Sequence, residues 1–178
     1  LFLFNHPALV DPLITRVLLE DEFSPRPVVA ENVLDDDFTA KVVTFFTNPV
    51  TVPKFSESLN AFKKERGERS VRKICQGLRN GENFMMSPAG TLKISGKELI
   101  GGASWTHRII NSVPEANIVL VRLDGLWGSM FSRAITGQRP GITKSYFQGI
   151  KLALYNFLFF VPKRKVNVTF ELIDNEVL

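Results

Sequence analysis

His6 and Asp11 stand five residues apart in the stretch FNHPALVDPL, and together they could do chemistry. A carboxylate that holds the proton of one imidazole nitrogen fixes the tautomer and leaves the other nitrogen free to deprotonate a hydroxyl. This is the His-Asp half of a triad without its serine. In one continuous helix the two residues would lie roughly 140° apart around the axis and could not touch. Both, however, precede a proline, Pro7 and Pro12, and the residue before a proline is pushed out of the helical region. The spacing therefore predicts a turn over HPALV that folds His6 back, with Asp11 as a helix N-cap and Pro12 at the first helical position. The same residues also fit a plain cap followed by nothing, with His6 a turn residue. Spacing alone leaves both readings open.

Other chemistries find less support. With two histidines, His6 and His107, a single cysteine, Cys75, and no H-E-x-x-H or C-x-x-C spacing, there is no zinc signature. GTLKISGKE places five residues between Gly90 and Gly96 where a P-loop has four, and Glu98 stands where the magnesium-binding hydroxyl belongs. A nucleotide triphosphatase is thereby rejected. No G-x-S-x-G elbow occurs, and Cys75, beside Ile74 on a helical pattern, reads as buried packing. What remains is the loop PAGTLKISGK, which carries Pro88, Gly90, Thr91, Lys93, Gly96 and Lys97. Backbone N–H groups exposed by glycine, with ammonium groups alongside, suit a phosphate or a developing oxyanion. A turn with solvated lysines would look the same.

These residues need elements to position them. Apolar runs at 1–4, 27–30, 49–53, 83–87 and 117–123 read as strands, and KVNVTFEL at 165–172 as a last edge strand. Between them, Leu13, Ile14, Val17 and Leu18 repeat at helical spacing, and short helices are expected over 37–46 and near 102–112. A long basic helix over 59–79 has Leu59, Phe62, Val71, Ile74, Cys75 and Leu78 on one face, with a break expected at Gly67 and a stop at Asn80-Gly81. The alternation predicts an α/β fold with a mostly parallel central sheet flanked by helices. In such sheets ligands bind at the carboxyl ends of the strands, which singles out the loops 5–11 and 88–97. SYFQGIKLALYNFLFFV is nearly all apolar, too short to span a bilayer upright, and fits either a buried helix or an interfacial one.

The 178 residues suit one domain, with 44% apolar and 22% charged residues arguing against disorder. Fifteen Phe against two Tyr and two Trp favours greasy ligands or surfaces. A net charge of +4 fits nucleic acid, anionic headgroups or phosphorylated substrates alike. The chain opens on LFLF with neither Met nor a basic leader region, and is expected to be a piece of a longer one.

In chain order, NHPALVD, PVTVPKF, SPAGTLK and VLVRLDGLWG resemble the four blocks of the glycerolipid acyltransferases, the group that includes glycerol-3-phosphate and lysophosphatidic acid acyltransferases. The similarity covers residues from about 2 to about 133 and is strongest to bacterial members related to the 2-acylglycerophosphoethanolamine acyltransferases. It implies a single acyltransferase domain over 1–178, with membrane-anchoring helices lying before Leu1 and a place at the cytoplasmic face of a membrane. It implies His6 as the base on an acceptor hydroxyl, Asp11 as its orienting partner, and Lys54 as a phosphate-binding residue. The third block is usually Pro-Glu-Gly-Thr-Arg, whereas here Pro88, Ala89, Gly90, Thr91 and Leu92 stand, with Lys93 one place on. Both charged members are absent. Expected partners are acyl-CoA or acyl-carrier protein as donor, whose acidic surface would suit the basic helix, and a glycerol phosphate or lysophospholipid as acceptor. No metal, cofactor or covalent intermediate is required. The rival expectations are a catalytically decayed lipid-surface protein of the same fold and, with less support because the basic helix lacks interleaved aromatics, a nucleic-acid binder.

Overall fold

Unbroken apolar runs form strands that are covered on both faces. Such are β1 (Phe2–Phe4) and β4 (Phe84–Met86), buried at every position in the computed structural model. The structure describes residues 1–31, 44, 47–53, 61–100, 104–156 and 164–173. The other strands are β2 (Arg26–Ala30), β3 (Val50–Val52), β5 (Ile118–Asp124) and β6 (Asn167–Ile173). They make one six-stranded sheet in the order β3-β2-β4-β1-β5-β6. The first five run parallel, and β6 closes the edge antiparallel to β5. The architecture is α/β, as the alternation of elements predicts.

Side chains alternate across the sheet and divide the core in two. Phe2 pairs with Met85, and Leu3 with Met86. On one face Leu3, Met86 and Phe84 pack with Ile74 and Val71 of α2 (Ala61–Arg79) and Ile109 of α3 (Ser104–Ser112). On the other, Phe2, Phe4 and Met85 pack with Leu19 of α1 (Asp11–Phe23) and with Leu126.

Several expectations are corrected. The helix α2 runs unbroken through Gly67, because that glycine makes room for a neighbour: a Cβ there would lie 2.5 Å from the Trp105 ring. Phe62 is 76% exposed rather than part of the packed face, while Leu59 and the helix expected over 37–46 fall on or largely on positions outside the described residues. In α1 the buried positions are Asp11, Thr15 and Leu19, whereas Leu13, Val17 and Leu18 face outward. The apolar C-terminal segment forms α4 (Ile142–Tyr155), whose one buried residue is Ser145. Phe147, Ile150, Leu154 and Tyr155 are exposed. The buried-helix reading of this segment therefore fails over its described part, since its large apolar side chains are exposed.

Gly77 is the close approach that locks α2 onto the sheet. A Cβ at this position would stand 2.6 Å from the ring of Phe84, which is fully buried. Overpacking of this kind costs about 1–3 kcal/mol, and alanine returns only about 1 kcal/mol of helix propensity. Gly77→Ala is expected to lower the urea midpoint, whereas Gly96→Ala, with open space around its Cβ, should leave it unchanged.

Candidate active site

The strand β1 ends at Phe4, between the parallel strands β4 and β5, and the chain leaves the sheet there as a turn. Asn5 anchors that turn to the neighbouring strand: its side chain donates to the Leu123 carbonyl at 3.0 Å and accepts the Leu123 N–H at 2.7 Å. Further on, the Leu9 N–H donates to the Phe131 carbonyl at 2.9 Å, and the Tyr146 hydroxyl donates to the Leu9 carbonyl at 3.3 Å. The turn is thus held from β5, from the 125–137 loop and from α4.

Within it, His6 Nδ1 lies 2.8 Å from Asp11 Oδ1. The predicted fold-back occurs. Asp11 is fully buried, and the His6 side chain keeps 17% of its surface exposed. The second carboxylate oxygen accepts the Ala8 N–H at 2.9 Å. One detail differs from expectation: the N-cap position is Val10, and Asp11 lies in the first helical turn. Its oxygens serve the turn before the helix instead of the helix's own N–H groups, which is why it is not the cap. Burial pushes the Asp11 carboxyl above the ordinary carboxylate range, against the opposing pull of the His6 and Ala8 hydrogen bonds. An ionised Asp11 only accepts, so Nδ1 carries the imidazole proton and Nε2 is left with its lone pair. Burial likewise raises the Tyr146 hydroxyl, with the Asp11 charge adding to it.

The loop after β4 reaches the same histidine. The Lys93 N–H donates to the His6 carbonyl at 2.8 Å, and Glu98 Oε1 accepts the His6 N–H at 2.9 Å. Lys93 Nζ lies 5.3 Å from the centre of the Trp127 ring. Leu92, in the place of the third block's arginine, is 1% exposed and anchors the loop in the core. Pro88, Ala89 and Glu98 line an apolar cleft together with Phe4, Asn5 and Ile100. Gly90 sits at a positive φ of 61°, its N–H donating to the Ser87 carbonyl at 3.0 Å, and Thr91 is exposed beside it. The structure thus joins His6 to Asp11 and Lys93, puts Pro88 in the adjoining cleft, and leaves Gly90 and Thr91 on the outer rim of the loop. Lys54 lies outside the described residues.

No protein-family model matches the chain, and no curated protein matches it. Among solved structures it is similar to the 1-acyl-sn-glycerophosphate (LPA) acyltransferase PlsC from Thermotoga maritima, at 16% identity and a TM-score of 0.55. The two share a fold. The similarity covers 99% of this chain and 56% of the other, so the chain spans little more than half the length of that acyltransferase. In this acyltransferase-like fold, the His6–Asp11 turn occupies the carboxyl end of the central parallel strand, where α/β sheets bind their ligands.

Four residues of the site escape sequence reasoning. Glu98, Trp127 and Tyr146 lie far from His6 in the chain, and Asn5, although next to it, acts on Leu123, 118 positions away. Arg164, expected only as a flank of the apolar segment, donates to the carbonyls of Gly125, Trp127 and Gly128 at 2.7, 3.0 and 3.2 Å and so fixes the loop that presents Trp127. Cys75 is buried, as expected, and burial raises its thiol above the usual range, which suits packing rather than nucleophilic work.

The elevated Asp11 has a pH signature. A carboxyl whose folded value exceeds its unfolded one stabilises most below the unfolded value, and that contribution is lost as pH rises through the folded value. Urea unfolding of wild type and Asp11→Asn from about pH 3 to about pH 7 should therefore show the wild type's relative stability falling with pH. A difference that grows with pH would mean that the His6 contact outweighs burial.

Proposed function

We propose that the chain is the acyltransferase domain of an enzyme that moves a fatty acyl group from acyl-CoA or acyl-carrier protein to a hydroxyl of a glycerophosphate or lysophospholipid. The observation that carries this reading is the 2.8 Å contact between His6 Nδ1 and the fully buried Asp11. In this mechanism Nε2 of His6 takes the acceptor's hydroxyl proton, and the oxygen attacks the thioester carbonyl. The tetrahedral oxyanion collapses, expels the thiolate, and the imidazolium returns the proton to sulfur. Asp11 keeps the ring in the tautomer that this requires and stabilises the imidazolium.

Lys93, Lys54 and the backbone around Pro88, Gly90 and Thr91 are the proposed contacts for the acceptor phosphate. The cleft beside Ile100 is apolar, as a lipid substrate requires. On α2 the exposed Lys64, Arg72 and Lys73 would draw an acidic donor. The proposed place is the cytoplasmic face of a membrane, peripheral or through a segment outside this chain; contact with a lipid surface, on whichever side, is supported by the exposed Phe147, Ile150, Leu154 and Tyr155 of α4 beside Lys144 and Lys151. Among the described residues no helix is long and apolar enough to cross a membrane. That same apolar face, with Ala89 and Leu92 in the third block, favours a second reading in which the protein binds lipid surfaces without turnover.

Thiol release from palmitoyl-CoA and palmitoyl-acyl-carrier protein, with lysophosphatidic acid or lysophosphatidylethanolamine as acceptor, separates the two. Acceptor-dependent release is expected, and His6→Ala should reduce it at least about 10²-fold, the lower end of what a general base contributes. A folded His6→Ala variant that loses less than about tenfold would reject His6 as the base. No release with any pair, alongside salt-sensitive binding to anionic vesicles, would establish the second reading.

A further inference from the structure

The backbone of His6 is gripped on both sides by a single loop. Its carbonyl accepts the Lys93 N–H, and its N–H donates to the Glu98 carboxylate at 2.9 Å. The segment between those two points, Ile94 to Lys97, is exposed and lacks regular structure, so its two tied ends define its path. Of the backbone N–H groups of the turn, that of Asn5 goes to a strand carbonyl, Ala8's to Asp11 and Leu9's to the Phe131 carbonyl. Pro7 has none to offer. That of His6 itself meets a carboxylate delivered from another part of the chain. A hydrogen bond to a charged acceptor is roughly twice as strong as a neutral one, and it fixes the Cα–Cβ direction from which the imidazole projects.

Glu98 also stands in the cleft that Ala89 lines. Ala89 occupies the place where the resembling block carries a carboxylate, and Glu98 brings one to the same cleft from further along the loop. We propose that Glu98 is a positioning residue for the His6 base, acting through the His6 backbone amide rather than on the substrate. This inference rests on the acyl-transfer reading for its kinetic consequences, while the contact itself can be tested without turnover.

The protein has only two histidines, His6 and His107, which makes His6 straightforward to follow by selective labelling. In 15N-histidine-labelled protein the His6 amide proton should resonate downfield in the wild type and move upfield in Glu98→Ala. In steady-state kinetics Glu98→Ala should lower kcat about 10–100-fold, the scale of a small misplacement of a reacting group, with both KM values changing less than about twofold. Glu98→Gln, whose amide oxygen can still accept the His6 N–H, should recover kcat to within about threefold of wild type. The double variant His6→Ala/Glu98→Ala should be no slower than His6→Ala, because the carboxylate acts only through the histidine.

An unmoved His6 amide in Glu98→Ala, or a kcat within about twofold of wild type, would overturn the proposal. A raised acceptor KM in Glu98→Gln would overturn it as well, because the charge would then be meeting substrate. A His6→Ala variant that retains wild-type activity while the amide shift is present would instead remove the base reading and leave the contact standing.

Discussion

The burial of one carboxylate governs the geometry around it. Asp11 is fully enclosed, and taking a carboxylate out of water costs several kcal/mol unless its lone pairs find donors. It has two such donors, His6 Nδ1 and the Ala8 N–H, and both come from the turn that precedes it. The turn must curl around the carboxylate for those donors to reach, and the prolines on either side make the curl accessible by excluding the helix. Everything that encloses the turn keeps water from Asp11: Phe4 beside the His6 ring, Phe131 bonded to Leu9, and Tyr146 over the Leu9 carbonyl. Leaving a buried acceptor without its donor costs about 1–3 kcal/mol, and more for a charged group. The contact that orients the imidazole ring is therefore at the same time the one that solvates the buried carboxylate.

The central strands and this turn were legible in the sequence for definite reasons. LFLF and FMM are unbroken apolar runs because both of their faces are covered, and two X-Pro steps spaced around HPALV admit few backbone paths. The face of α1 was not legible. Periodicity identifies which residues are apolar, but the sheet decides which side of the helix it meets, and here it meets Asp11, Thr15 and Leu19. Gly67 looked like a break because glycine lowers helix propensity, yet its lack of a Cβ is what seats the Trp105 ring. Glu98 bonds to His6 across 92 positions from a loop without a repeat. No local pattern encodes such a contact.

The outward apolar faces set a second constraint. Burying a side chain such as Phe or Ile contributes about 1.5–3 kcal/mol, and α4 forgoes that at Phe147, Ile150 and Leu154 while α1 forgoes it at Leu13, Val17 and Leu18. What holds α4 in place is its first turn, where Ser145 is buried and Tyr146 meets both Phe131 and Leu9. The helix is tied to the Asp11 turn and to the 125–137 loop, and its greasy residues are exposed. In the proposed reading, a lipid acceptor would meet apolar surface on the way to the base.

Leu92, which stands where the resembling block has a basic residue, bears on how the loop is held. Leu92 has only 1% of its surface exposed, a site where a guanidinium would have to give up its water. Burial of the leucine now fastens the loop to the core, and the next residue turns its backbone to His6 and its ammonium to the face of Trp127. An aromatic face attracts a cation without neutralising it. Leu92 thus supplies the anchorage while the Lys93 side chain lies over Trp127, and in the proposed reading its ammonium is the group that an acceptor phosphate would meet.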